Sequence, residues 1–221
     1  MPLTENRGQM AKRIYELFDE ESLIKKIKNK LPYLFQLAEI DNSRDGKLGM
    51  EIGSARERIL IALLIYKFSE ENVKVDIAIT KSEIDVIVFD EPISIKTVTN
   101  KKVVGVKLIW TVDAQKAIEF INQYSPKCDI LYAHINWDNE GALYLLSKES
   151  QKEVLKEFGK DFYFKLPKTG TNPRGVEISN KAINKLVEHP TTKKIMIDWT
   201  RDETIQYNSY KRWVEEWKEE R

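Results

Sequence analysis

Apolar and polar positions alternate along this chain with two periods, and each period predicts a kind of element. Between Gln9 and Lys30, residues Ile14, Leu17, Phe18, Leu23, Ile24 and Ile27 fall close to helical spacing, which predicts one or two amphipathic helices. Leu31 to Gln36 continues that helical region after a break at Pro32. The polar stretch from Asp41 to Gly53 carries Gly46, Gly49 and Gly53 and reads as a loop. Ser54 opens a strong helix through Glu57, Ile59, Leu60, Leu63 and Leu64 to about Phe68. The period then changes to two: Val73, Val75, Ile77 and Ile79 alternate with Lys74, Asp76, Ala78 and Thr80, which predicts a half-buried strand. A second strand is expected from Ile84 to Phe89. The turn Asp90-Glu91-Pro92 leads into a third, Ile93 to Thr99, with an extension over Val103 to Trp110. Strands joined by such short links should pair antiparallel.

Helical spacing returns at Ala114, Ala117, Ile118 and Ile121 and stops at Ser125-Pro126. An apolar strand, Ile130 to Trp137, follows, then a turn and a strand from Ala142 to Leu146. The last third predicts a helix from Gln151 to Phe158 closed by Gly159 and a short strand from Phe162 to Leu166. Beyond a loop from Pro167 to Gly175, it predicts a helix from Lys181 to Glu188, a strand from Ile195 to Trp199 and a terminal amphipathic segment. With no internal repeat, the pattern describes one α/β (α+β) domain over residues 1–221. Its expected parts are a helical attachment and loop (1–50), a core (54–137) with a mixed sheet, and accessory strands and helices (138–221).

Composition narrows the functional classes. The 36 Lys+Arg against 35 Asp+Glu leave a formal charge of +1, so a polyanion partner must be met by a local patch and not by a protein basic all over. The longest apolar run, Ile59 to Ile65, is far short of the roughly 18 residues that cross a bilayer, so a soluble, intracellular protein with no membrane partner is expected. One cysteine, Cys128, forms no internal disulfide and reads as a small core residue. The two histidines, His134 in an apolar strand and His189 before Pro190, read as structural.

Two charges stand out because they interrupt strands. Asp85 is embedded in Ile84 to Phe89, and Lys96 in Ile93 to Val98, where an unpaired charge is costly. Strand periodicity puts Ser94 and Lys96 on one face and Ile95 on the other, and a tight turn at Asp90 to Pro92 brings Asp85 beside them. Glu57 completes a carboxylate pair if its helix packs across this hairpin. Each of these residues also has a structural reading. Ser54-Ala55-Arg56-Glu57 is a capping box, S-x-x-E. Asp85 and Lys96 also suit a plain ion pair between neighbouring strands.

The order helix, strand, strand, strand, helix, strand, with Asp85 on the second strand and Ser94-Ile95-Lys96 on the third, resembles the PD-(D/E)XK nuclease superfamily over about 85 residues. Through Glu57, Asp85 and Ser94-Ile95-Lys96-Thr97-Val98-Thr99 it is similar to type II restriction endonucleases of the ThaI kind. One departure is plain: Ser94 stands where that superfamily has its second acid, and Glu57 is the substitute. The strings Asp45-Gly46-Lys47 and Glu216-Trp217-Lys218 also match acid-x-Lys but lie in a glycine turn and a terminal helix.

The resemblance implies Mg²⁺-dependent hydrolysis of double-stranded DNA at a short C/G palindrome by a homodimer in a prokaryotic cytoplasm, alongside a cognate DNA methyltransferase. It makes Glu57, Asp85 and Lys96 catalytic, with Asp85, Glu57 and the Ile95 backbone carbonyl as metal ligands. Expected DNA contacts are Lys47, Ser94, Lys101, Lys102, Lys168 and Arg174, with Met50 between glycines placed either to wedge into a base step or to pack under its helix. A repair or junction-resolving nuclease on the same core is the nearest alternative. A non-catalytic DNA-binding protein is another, from a different class.

Overall fold

The structure is a computed structural model that describes residues 13–44, 47–48, 51–78, 83–165, 175–205, 208 and 210–219. Helices α1 (Glu16–Asp19) and α2 (Glu21–Asp41) lead into a two-residue ribbon, β1 (Ser43–Arg44) and β2 (Lys47–Leu48), where the sequence predicted only a loop. Pro32 does not break α2, which runs through it. Leu31, Phe35 and Ala38, on both sides of the proline, are buried, and that packing outweighs the lost backbone hydrogen bond.

Helix α3 (Ile52–Phe68) begins two residues earlier than expected. Its N-cap is Glu51, with no side-chain cap bond, so Ser54 lies inside the first turn and the capping box does not form. The long alternating strand is also much shorter than predicted: β3 covers Val73–Lys74, and residues 75–78 are not strand, because the neighbour that would pair with them, β4 (Val86–Val88), is itself only three residues long. A two-residue turn at Phe89 and Asp90, both at positive φ (48° and 67°), then returns the chain into β5 (Glu91–Thr99). Positive φ at both positions is the type I′ geometry, whose twist suits a tight hairpin.

Residues 103–110 do not extend β5. They form β6 (Lys107–Ile109) in a separate sheet, and the chain then enters α4 (Ala114–Gln123), capped by the Asp113 side chain. Two buried strands follow, β7 (Asp129–Ile135) and β8 (Glu140–Leu146). Helix α5 (Lys148–Phe158) starts at the Ser147 cap, earlier than predicted. The expected strand over Phe162 to Leu166 is instead α6 (Lys160–Tyr163) followed by β9 (Phe164–Lys165). The described chain closes with β10 (Val176–Ile178), α7 (Asn180–Val187), β11 (Lys193–Asp198) and α8 (Lys211–Lys218).

The main sheet has the order β11-β8-β7-β5-β4-β3, with β5 and β7 parallel and the other neighbours antiparallel. Both faces are covered. On one, Ile93, Ile95, Leu131 and Leu143 pack with Leu31 and Phe35 of α2 and Leu60 and Leu64 of α3. On the other, Ile130, Tyr132 and Tyr144 pack with Ala117 and Ile121 of α4, Val154 of α5 and Ile183 of α7. The small sheet β6-β10-β9 joins this second layer. Covering on both sides explains why β7 is buried along its whole length and is apolar except at Asp129 and His134.

Candidate active site

The short hairpin sets the site. β4 pairs with β5 only through Val86↔Ile93, Ile87↔Pro92 and Val88↔Glu91, so among the described residues one edge of β5 has no strand beside it from Ser94 onward. Asp85 stands where the ladder stops. Its backbone N–H donates to the Ile93 carbonyl (3.0 Å), and its carboxylate takes the place of the next strand residue by accepting the Ile95 N–H at 2.6 Å. The same oxygen, Oδ2, accepts from Ser94 Oγ at 3.0 Å and from Lys96 Nζ at 3.1 Å. Three donors from three successive residues thus converge on one carboxylate oxygen. The side chains of Asp85 and Lys96 are each 18% exposed, so the pair is largely buried yet keeps some access to solvent.

The alternation read from the sequence holds here. Ile93 and Ile95 enter the α3-side core while Ser94, fully buried, faces the other way. In a strand the N–H and C=O of one residue leave on the same side. Since the Ile95 N–H reaches Asp85, the Ile95 carbonyl points to that open edge as well and not toward β7.

Glu57 comes from the second turn of α3, which lies across the hairpin. Its carboxyl is pushed above the ordinary carboxylate range by burial first and by the negative charge of Asp85 second, against the pull of Lys96 and Arg58. Glu57, Asp85 and Lys96 therefore lie within electrostatic reach of one another.

Of the residues expected to contact DNA, Ser94 is the one drawn into this cluster. Lys101 and Lys102 are exposed just beyond the end of β5, where Asn100 Oδ1 accepts the Lys102 N–H. Lys47 lies on β2 of the ribbon before α3. Met50, Lys168 and Arg174 lie outside the described residues. Cys128 is buried and His134 has a backbone partner, Asn100 O at 2.9 Å, so both are structural as read.

Two acids escaped the sequence reading. Glu83, two residues before Asp85, is buried with Lys127 as its ion-pair partner at 3.7 Å, and burial pushes its carboxyl up. Glu39, near the end of α2, is buried and accepts from Arg56, from Trp137 Nε1 (2.7 Å) and from Arg201 (2.9 Å). Glu83 had a weak signal in its spacing from Asp85, whereas the partners of Glu39 are scattered along the chain and leave no local pattern.

A mixed sheet with a truncated edge hairpin, an aspartate held against x-Lys on the next strand and a carboxylate-bearing helix laid across both define a nuclease of the restriction-endonuclease-like fold. The family model for restriction endonuclease ThaI matches residues 17–219, and the chain belongs to that family of site-specific deoxyribonucleases. A solved structure described as a restriction endonuclease in complex with substrate DNA is 51% identical, with a TM-score of 0.86, over 92% of this chain and 98% of that one. A comparison with the curated proteins finds no match.

Proposed function

We propose that this restriction endonuclease is a Mg²⁺-dependent type II enzyme that, as a homodimer, hydrolyses both strands of a short C/G palindrome in double-stranded DNA. The observation that carries the reading is the convergence of Ser94, Ile95 and Lys96 on one oxygen of Asp85, beside Glu57, at the open edge of β5. The likeness to the ThaI family supports the C/G palindrome. A palindrome cut on both strands calls for two-fold symmetry with one site per subunit. A nuclease of this kind also requires a methyltransferase that protects the same sequence in its host.

The residues suit Mg²⁺. Among the described residues no cluster of three or more His, Cys, Asp or Glu forms a complete cage. Mg²⁺ does not need one, because it is held by one or two carboxylates with waters and phosphate oxygens. Asp85 and Glu57 would be that pair: burial first and the Asp85 charge second raise the Glu57 carboxyl, and a bound cation would favour its ionised form. The Ile95 carbonyl is the third protein oxygen on the same side. When bound, the ion polarises the scissile phosphate and acidifies a water.

The chain's own side chains do the rest. Ser94 and the Ile95 N–H fix the Asp85 carboxylate in one orientation, leaving Oδ1 without a hydrogen bond from the described residues. Lys96 is held by Asp85 within reach of the open edge, where it orients the attacking water and donates to the oxygen on which negative charge grows. Lys101 and Lys102 extend a positive edge away from the site for phosphate contact, with Lys47, Lys168 and Arg174 as further contacts and Met50 as the base-step wedge.

Incubating purified protein with plasmid DNA and Mg²⁺, then sequencing the ends, tests this. Discrete fragments with a common C/G palindrome are expected, with loss of cleavage and retained DNA binding in Lys96→Ala and Asp85→Asn. Full activity of Lys96→Ala, or equal activity in EDTA, would overturn the mechanism. A preference for branched or mismatched substrates would move the reading to a repair or junction nuclease.

A further inference from the structure

Between β5 and β6, residues 100–106 belong to no strand, yet their backbone is held by bonds to the elements beneath. The Asn100 N–H donates to the Ile135 carbonyl (3.0 Å), and the Asn100 carbonyl accepts from His134 Nε2 (2.9 Å). Asn100 Oδ1 accepts the Lys102 N–H at 3.0 Å. The Tyr132 hydroxyl takes both backbone groups of Val104, donating to the carbonyl at 2.9 Å and accepting the N–H at 3.3 Å. The Gly105 N–H donates to Asn180 Oδ1 (2.7 Å), and the Val106 carbonyl accepts from Ile178 (2.8 Å). A Cβ at Gly105 would stand 2.1 Å from the Ile178 carbonyl oxygen, so the chain lies flat against β10 there. Irregular surface segments ordinarily leave such groups to water; bonded in this way, residues 100–106 form a fixed strap.

The strap is registered to Lys96 through β7. In the parallel ladder Tyr132 is paired with Lys96 and His134 with Val98, so both side chains leave the sheet on the Lys96 face. Both are buried, and the polar group of each reaches the strap. At its start the strap presents Lys101 and Lys102, which are exposed, within a stretch from Pro92 to Val112 that contains no acid. These two lysines line an opening of about 540 Å³ with His134, Tyr144 and Asn184, and Glu140 is the acid among its lining residues. From Lys96 to Asn100 the chain advances on the order of 13 Å, at about 3.3 Å per strand residue, which matches about four steps of one DNA strand at about 3.4 Å each.

We propose that Tyr132 and His134 are positioning residues for DNA binding: they hold the strap so that Lys101 and Lys102 meet backbone phosphates a few nucleotides from the one that is cut. Phosphate contacts fix the register and orientation of a protein on the duplex without reading its sequence. A strap tied to the strand beside β5 sets that register relative to Lys96. The inference rests on the reading above for the role of Lys96 and for the phosphate contacts of Lys101 and Lys102, but the contact itself requires neither Mg²⁺ nor cleavage.

Binding of a short DNA duplex in EDTA over a range of salt, beside plasmid cleavage in Mg²⁺, tests it, with each variant kept well below its own thermal midpoint. Lys101→Ala with Lys102→Ala should weaken binding about tenfold and lower the slope of log Kobs against log salt by about 1–2, at about 0.9 per phosphate contact. Tyr132→Phe and His134→Leu should each weaken binding about fivefold and lower the slope part of the way, and the loss in cleavage should fall on KM more than on kcat. His134→Gln keeps an N–H donor at similar reach and should recover most of the loss. In the background without the two lysines, Tyr132→Phe should change binding by less than about twofold, because the two act as one unit. A wild-type salt slope in the double-lysine variant would overturn the proposal. So would a Tyr132→Phe protein that loses thermal stability but binds as wild type, or one that loses as much binding without the lysines as with them. The expected binding changes in a protein that cuts no DNA would support the strap and sink the nuclease reading.

Discussion

Arg56 donates to the Oε1 oxygen of Glu39 in the interior, one residue before Glu57, and this pair ties the end of α2 to the start of α3 across the base of the ribbon. Arg201 bonds the second oxygen of Glu39 and stacks over Trp137, so the segment after β11 joins the same knot. Removing Glu39 strands the buried Arg56 guanidinium and unpairs Trp137 Nε1 together. Glu39→Ala should cost about 3–5 kcal/mol in urea unfolding. Arg56→Met should cost clearly less, because Glu39 keeps Arg201 and Trp137. Equal losses would mean that Glu39 is not the hub.

Ser94 is buried, and its hydroxyl donates to the Asp85 carboxylate. A hydrogen bond to a charged group contributes about 1.5–3 kcal/mol. If Ser94 orients the carboxylate, Ser94→Ala should lower kcat/KM by about 10- to 100-fold when assayed well below its own thermal midpoint, which should fall by several degrees. Wild-type turnover by the variant would reduce Ser94 to a space-filler.

The raised Glu57 carboxyl links activity to stability. A carboxyl whose folded pKa lies above its unfolded value, ordinarily 4.5, binds protons more tightly in the native state. Its contribution is therefore present at low pH and is lost as pH rises through the elevated value. Without divalent metal, Glu57→Gln should melt above wild type at pH 7.5 and level with it near pH 4, while losing cleavage. A variant less stable than wild type at pH 7.5 would show that the Glu57 charge helps the fold.

His134 carries the opposite sign. Burial holds its imidazole below the ordinary 6.5, against the favourable backbone carbonyl of Asn100. The unfolded chain then takes the proton first, so stability is full above 6.5 and falls as pH drops below it, by at most about 1.4 kcal/mol per pH unit. His134→Gln should flatten that part of the curve in urea unfolding between pH 7.5 and 5. Parallel curves for the two proteins would remove His134 from the acid response.

What the sequence made legible were features with a short period or an out-of-place charge. Asp85 and Lys96 stood out because they interrupt apolar strands, and the hairpin that joins them is local. Val73 to Thr80 alternates well, yet among its described residues, 73–78, only Val73–Lys74 finds a strand partner, because pairing depends on a neighbouring strand as well as on the residues themselves. Pro32 would end an isolated helix, but α2 passes through it because buried residues hold both halves. The small sheet joins residues 107–109, 164–165 and 176–178, and the Glu39 knot joins residues 39, 56, 137 and 201. Neither has a local signature.

The parallel pairing of β5 with β7 has a consequence for the order in which this enzyme is made. Glu57, Asp85 and Lys96 are all synthesised before Asp129–Ile135, the strand that lines up with β5 from Ile93 to Thr99 and holds Lys96 level with Tyr132. A chain still on the ribosome therefore carries the three residues proposed for catalysis without the scaffold that aligns them, and a product broken off before β7 has Lys96 on an edge that β7 does not support. Non-local closure of this kind is slow compared with a hairpin. Competence to cut DNA therefore arrives late in synthesis, and a prematurely terminated chain lacks the support the site requires.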